Sequence, residues 1–224
     1  MSQPSSISLQ QDKSVARRML MFTGIVQGLA TVLRLDRKDQ FMSVRLAFPD
    51  GCLEHLETGA SIAVNGVCLT VTDYGPDWAS FDVIDETLER TTLGSLSEQS
   101  RVNFERAATF GTEIGGHLLS GHIYDTVAIV GRTDSENNCR LDIDAGSEWL
   151  PYILSKGFVA VDGVSLTVGE VDPERGVFSV HLIPETLSRT SLGFRAVGEH
   201  LNLEIDAMTQ AVVETVRRVM AQKM

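Results

Sequence analysis

The chain has 224 residues, 43% of them hydrophobic, and a net charge of -11. That length holds one large core or two small ones, and the acidic balance excludes a nucleic-acid backbone as partner, because phosphates demand a Lys/Arg surface. No apolar run reaches the length of a membrane span, and the three scattered cysteines, Cys52, Cys68 and Cys139, form neither a CxxC pair nor a Cys/His cluster. A disulfide framework and a metal site are therefore not expected, and a reducing cytoplasm fits this cysteine usage.

Residues 1–20 are Ser/Gln-rich, with Arg17-Arg18 near their end and no following apolar run of signal-peptide length. They read as a flexible extension ahead of Met21. From Phe22 the pattern becomes short β-rich runs separated by turn residues. The first half predicts strands near Gly24–Leu33, Met42–Phe48, Ser61–Asn65, Val67–Asp73, Trp78–Ile84 and Arg101–Arg106. Short helical or turn segments fall at Cys52–Leu56 and Glu86–Leu93. The second half predicts strands near Gly121–Arg132, Cys139–Ile143, Phe158–Asp162, Val164–Val171, Val177–Ile183 and His200–Ile205, with helical inserts at Ser147–Leu154 and Glu185–Leu192. After Asp206 the period changes: Met208, Val212, Val216, Val219 and Met220 form one apolar stripe on a helix.

The two halves are copies. Ala63–Val71 returns as Ala160–Val168 with seven of nine residues identical, the departures being Asn65 to Asp162 and Cys68 to Ser165. Glu86–Gly94 returns as Glu185–Gly193, again at seven of nine positions, and Phe22–Val26 is echoed more loosely by Leu119–Ile123. Six short strands per copy suit a closed antiparallel barrel, which leaves no sheet edge, better than a sandwich. The fold class is all-β, with two tandem barrels and a terminal helix.

Strand alternation puts Val67, Leu69 and Val71 on a core face and Gly66, Cys68 and Thr70 on the other, with Gly163, Ser165 and Thr167 as the second set. That second face reads equally as a polar wall for a flat ring or as a tight bend at the glycine with solvated hydroxyls. His122 stands where the first copy has Ile25, Asp206 where it has Ala107, and Lys156 where it has Gly59. Locally, Asp206 reads first as a helix N-cap accepting near Thr209, and Lys156 as a solvated side chain. A thiol nucleophile at Cys68 lacks an orienting third residue at a familiar spacing.

These motifs, with Met21–Val26, Val102–Ala107, Gly115-Gly116-His117, Ser120-Gly121-His122, Ile183–Leu187 and Asn202–Asp206, resemble the riboflavin synthase family of the lumazine-dismutating α-chain type over about 200 residues. The resemblance implies two six-stranded Greek-key barrels, residues 21–117 and 118–205, and a trimerisation helix, residues 206–224. It implies a homotrimer that needs neither metal nor organic cofactor, and it leaves an association with lumazine synthase open. The implied reaction converts two 6,7-dimethyl-8-ribityllumazine molecules into riboflavin and a ribitylamino-pyrimidinedione. The site would join barrel 1 of one subunit to barrel 2 of a neighbour. One pocket would be lined by Gly24, Ile25, Val26, Cys68, Leu69, Thr70, Asp82, Val83, Ile84, Asp85, Glu86 and Thr87. The other would be lined by Gly121, His122, Ile123, Lys156, Ser165, Leu166, Thr167, Leu182, Ile183, Pro184, Glu185 and Thr186. His122 is the first candidate for proton transfer; Cys68, Ser61, Ser165 and Asp206 are candidates for positioning or relay, and Phe22 for packing against a ring. The chain departs from the family pattern at Tyr124-Asp125-Thr126, beyond the expected contacts. Three rivals remain: a lumazine- or flavin-carrying relative without catalysis, a flavin-reductase-like barrel, and a purely structural oligomer built through the last helix, which would leave the asymmetric substitutions between the repeats unexplained. His122, Cys68, Lys156 and Ser165 favour the enzyme over the first, and the missing Gly-rich nucleotide fingerprint disfavours the second.

Overall fold

In the computed structural model, which describes residues 21–223, each half closes into a six-stranded antiparallel barrel. The first is built from β1 (Gly28–Lys38), β2 (Phe41–Ala47), β3 (Ser61–Val64), β4 (Val67–Tyr74), β5 (Trp78–Ile84) and β6 (Arg101–Arg106) in the order β1-β2-β5-β4-β3-β6. The second uses β7 (Asp125–Asp134), β8 (Cys139–Asp144), β9 (Phe158–Val161), β10 (Val164–Asp172), β11 (Val177–Leu182) and β12 (His200–Ile205) in the same cyclic order. Short helices α1 (Asp85–Arg90), α2 (Gly146–Trp149) and α3 (Pro184–Arg189) fill connections, and α4 (Ala207–Ala221) follows the last strand. The proposed extension, residues 1–20, lies outside the described residues. Among those described, no helix is long and apolar enough to cross a membrane.

The alternation read from the sequence holds on β4, where Val67, Leu69 and Val71 are buried and Thr70 is exposed. Gly66 does not sit on that outward face. It forms a two-residue hairpin turn with Asn65, both at positive φ, as Asp162 and Gly163 do in the second copy. Such a turn suits the twist of the flanking strands. The two glycines also meet: a Cβ on Gly66 would lie 2.7 Å from the Gly163 backbone nitrogen. Cys52–Leu56 forms turns rather than a helix.

The clearest departures from expectation are at β1 and β7, which begin four residues later than the hydrophobic pattern suggests. The residues before them are hooks that cross to the opposite barrel. Phe22 and Leu119 pair as an isolated antiparallel bridge at the seam. Val26 then joins the core of barrel 2, and Ile123 packs on the core of barrel 1. Each hook is held by a buried glutamate of its own half's last strand. Glu105 accepts from the Thr23 N–H and hydroxyl at 2.7 Å and from the Gly24 N–H at 2.9 Å. Glu204 does the same for Ser120 and Gly121.

Helix α4 starts at Asp206, whose side chain accepts from the Thr209 N–H at 2.9 Å, as the N-cap reading expects. Gln210, Glu214 and Arg217 face barrel 2: the Tyr124 hydroxyl donates to Gln210 at 2.6 Å, Tyr152 pairs with Glu214, and Arg217 donates to Tyr152 at 2.8 Å. At 3.6 residues per turn, Met208, Val212, Val216 and Val219 fall on the other side, and all are exposed.

Candidate active site

The hooks decide what the outward face of β4 meets. The Cys68 N–H donates to the Gly121 carbonyl at 2.9 Å, and the Ser165 N–H donates to the Gly24 carbonyl at 2.9 Å. Gly121 is at φ +78, with its ideal Cβ position 2.5 Å from the Cys68 Cβ; Gly24 is at φ +74, with 2.5 Å to the Ser165 Cβ. Only glycine allows this approach and this φ together. The groupings expected from the sequence are thus exchanged. Gly121, His122 and Ile123 belong with Cys68, and Gly24, Ile25 and Val26 belong with Ser165.

The first cleft is lined by Val67, Cys68, Glu86, Thr87, Arg90, Thr91, Gly121, His122 and Ile123. Its base is β4, its wall is α1, and its rim is the hook of the other half. His122 is exposed at the mouth. Burial raises the Cys68 thiol pKa; the Ser61 hydroxyl bonded to it opposes this, and the Glu204 charge adds to it. Cys68 is therefore a neutral thiol at physiological pH, a weak nucleophile. Ser61, itself buried, backs it from β3.

The corresponding positions of the second copy are Ser165, Thr167, α3 with Glu185 and Thr186, and the Gly24–Val26 hook, and the chemistry there differs. Here the Ser165 Oγ lies 2.6 Å from His117 Nδ1. His117 is buried and stacks on Phe158 with ring centroids 5.2 Å apart. Its Nε2 is buried without a partner. An N–H stranded in that position costs more than an idle lone pair, which favours the tautomer in which Nδ1–H donates to Ser165 and leaves the hydroxyl proton free to donate outward. Burial lowers the His117 pKa, and the charge of Asp206 opposes this. Burial raises the Asp206 carboxyl pKa, but donation from Thr209 and the Met208 N–H more than reverses that, so it titrates below its usual range. Gly116 is required beside it, because a Cβ there would lie 2.3 Å from the Thr23 carbonyl oxygen.

Other expected residues fall elsewhere. Phe22 does not face a ligand; it is 1% exposed, wedged with Ala63, Leu119 and Ala160 in the seam between barrels. Val26, Leu69, Val83, Leu166 and Leu182 point into the cores, so only their backbones are available. The Asp82 side chain accepts from Ser43 at 2.5 Å on the outer face of barrel 1 and is not part of the cleft with His122. Ile84 and Ile183, each 58% exposed, mark the starts of α1 and α3, next to Asp85 and Pro184. Lys156 adopts φ +64 where the first copy has Gly59 at +85, and makes no ion pair among the described residues. Sequence reasoning noted His117 only as part of a motif and missed its role. The signal was Phe158 standing where the first copy has Ser61, which leaves Ser165 without the neighbouring hydroxyl that Cys68 has and supplies a ring for the imidazole. Among the described residues, no group of three or more His, Cys, Asp and Glu could hold a metal ion.

Comparison with known proteins matches the Lumazine binding domain family twice, over residues 23–107 and 120–206. The riboflavin synthase of Escherichia coli (strain K12) is 52% identical over 204 residues, covering 91% of this chain and 95% of that protein. The riboflavin synthase of Chlamydia pneumoniae is 44% identical, covering 90% and 98%. Among solved structures, LumP complexed with 6,7-dimethyl-8-(1'-D-ribityl) lumazine is similar with TM-score 0.74 and 26% identity, covering 82% of this chain and 98% of that one. LumP complexed with riboflavin gives 0.76 and 28% over the same shares. With two lumazine-binding domains and this degree of identity along nearly its whole length, the chain belongs to the riboflavin synthase family of transferases.

Proposed function

We infer that the protein dismutates two molecules of 6,7-dimethyl-8-ribityllumazine, moving a four-carbon unit from one to the other to give riboflavin and 5-amino-6-(D-ribitylamino)uracil. The observation that carries this reading is one repeated frame with two chemistries. Cys68 with His122 stands in one copy, and Ser165 with His117 in the other. A reaction whose donor and acceptor are the same compound needs two sites that bind alike and act differently.

Each cleft takes one lumazine. Strand backbone groups beside Cys68–Thr70 and Ser165–Thr167 read the pyrimidine edge, and Glu86, Thr87, Glu185 and Thr186 hold the ribityl chains. His122 accepts the proton from the 7-methyl group of one lumazine. The resulting carbanion attacks the second molecule, and the pentacyclic adduct fragments. Ser165, oriented by His117, donates a hydrogen bond to negative charge on the ligand; Cys68 and Ser61 position the other ring. Lys156 and Asp206 complete the second cleft. Holding the rings face to face supplies a large part of the rate through orientation.

The clefts of one chain serve different catalytic sites: barrel 1 (residues 21–117) meets barrel 2 (residues 118–205) of a neighbour in a homotrimer assembled through residues 206–224. The exposed apolar stripe of α4 supports this, since a helix that turns its polar side to its own barrel has its apolar side free for other copies. The test is to mix purified protein with the lumazine alone. One riboflavin, read by fluorescence, should form for every two lumazines consumed. Tight binding without product would make the protein a lumazine-binding protein without catalysis instead.

A further inference from the structure

The substitution of Asn65 by Asp162 has no part in either cleft, because both residues are fully buried at the seam. Each latches its hairpin to the last strand of its own barrel. The Asn103 N–H donates to Asn65 Oδ1 at 2.8 Å, and the Asn202 N–H to Asp162 Oδ1 at 2.9 Å. The last strands also reach across. Asn103 Nδ2 donates to the Asp162 carbonyl and Asn202 Nδ2 to the Asn65 carbonyl, both at 2.8 Å. Asn103 Oδ1 accepts from the Ser191 N–H and Asn202 Oδ1 from the Thr92 N–H, both at 2.7 Å. These seam bonds are the same in both directions, so they do not distinguish one repeat from the other. Strand β6 already touches the β9–β10 hairpin and could close barrel 2 with the backbone bonds that β12 makes.

Among the differences between the halves, one set of three positions changes what the buried hairpin residue meets. In the second, Arg195 Nη2 donates to Asp162 Oδ2 at 3.1 Å and Nη1 to Glu199 at 3.0 Å, and Glu199 accepts from the Ala196 N–H at 2.6 Å. In the first, the corresponding residues are Asn65, Leu96 and Ser100, and Asn65 Nδ2 is buried without a partner. If β6 and its preceding connection closed barrel 2, Asp162 would be buried against Leu96 in place of Arg195. If β12 closed barrel 1, Arg195 would face an amide donor. A buried ion pair contributes little against a neutral replacement of both partners, but stranding one charge is severe.

We propose that the Asp162–Arg195–Glu199 triad is a repeat-discriminating lock that forces the β9–β10 hairpin to close with β12 rather than with its counterpart β6. Halves that share one fold and one set of seam bonds invite strand exchange, within a chain or between chains, and the triad penalises it without altering the shared seam. The inference does not depend on the catalytic reading.

Two measurements on the full chain test it. Arg195→Leu alone recreates, in the correct pairing, the surroundings of a mispaired Asp162. It should lower the Tm by on the order of 10 °C, and adding Asp162→Asn should recover most of that loss. The triple variant Asp162→Asn/Arg195→Leu/Glu199→Ser should keep a Tm close to wild type. After unfolding in guanidinium and dilution, it should return several-fold less native assembly, with a matching rise in mispaired larger species by light scattering. An unchanged Tm for Arg195→Leu overturns the proposal, as does a triple variant that refolds in wild-type yield. So does a triple variant whose native Tm collapses, because the triad would then hold the barrel together rather than choose its partner.

Discussion

Glycines 24 and 121 do at residue scale what no other residue can, admitting a hook within 2.5 Å of a neighbouring Cβ at positive φ. Gly121→Ala is expected to cost about 2 kcal/mol or more through strain and overlap with Cys68, read as a lowered Tm, and to disable the cleft that holds His122; an unshifted Tm would mean the hook is loose. Lys156 is the reverse case. Its φ of +64 sits where the first copy has glycine, so Lys156→Gly should raise stability by up to about 1 kcal/mol while lowering turnover. His117 gives a pH signature. Burial holds its pKa in the folded protein below the usual imidazole value of about 6.5, so the unfolded chain takes up the proton first. The contribution of His117 is complete above about pH 6.5 and is lost progressively as pH falls below it. Urea unfolding should show wild type losing more stability between pH 7.5 and 5.5 than His117→Asn does; equal losses would show that the imidazole is not buried neutral. Of these features, the sequence exposed the substituted positions, Ile25/His122, Cys68/Ser165 and Gly59/Lys156, because duplication supplies an internal control. The burial of Phe22 and the His117–Ser165 contact were hidden, since both depend on where a hook lands rather than on local pattern.

Among the elements, the strands were legible wherever apolar and polar residues alternate, as on β4 and β10, because one face is buried and a slip would expose it. The starts of β1 and β7 were not legible. Gly24–Val26 and Gly121–Ile123 have strand composition, yet the glycines at positive φ turn them across the seam. The assignment of pocket walls went astray for the same reason: sequence order put each hook with its own half. Helix α4 was legible on both counts, its N-cap from Asp206 and its stripe from the spacing of Met208, Val212, Val216 and Val219. Asp206→Ala should cost about 1 kcal/mol. Val212→Glu/Val216→Glu, which leaves the barrel-facing side intact, should give a monomer in light scattering, without unfolding the barrels, if this stripe assembles the proposed trimer. An assembly that survives both charges would move the subunit contact off this helix.

At the scale of the whole molecule, duplication supplies two frames, the exchanged hooks make each frame depend on both halves, and a few substitutions make the frames unlike. Separate barrels would each lack a hook, so neither half alone should retain a complete cleft. The unlike clefts belong to different catalytic sites if barrel 1 of one subunit faces barrel 2 of the next. Complementation tests this most directly. His122→Gln disables the first cleft, and Ser165→Val/Glu185→Gln disables the second; each variant alone should form riboflavin at a small fraction of the wild-type rate. Unfolded together and refolded as mixed assemblies, they should regain a substantial share of that rate, because a subunit with an intact second cleft then sits beside one with an intact first cleft. Mixed assemblies no more active than the two variants kept apart would contradict a site shared between subunits.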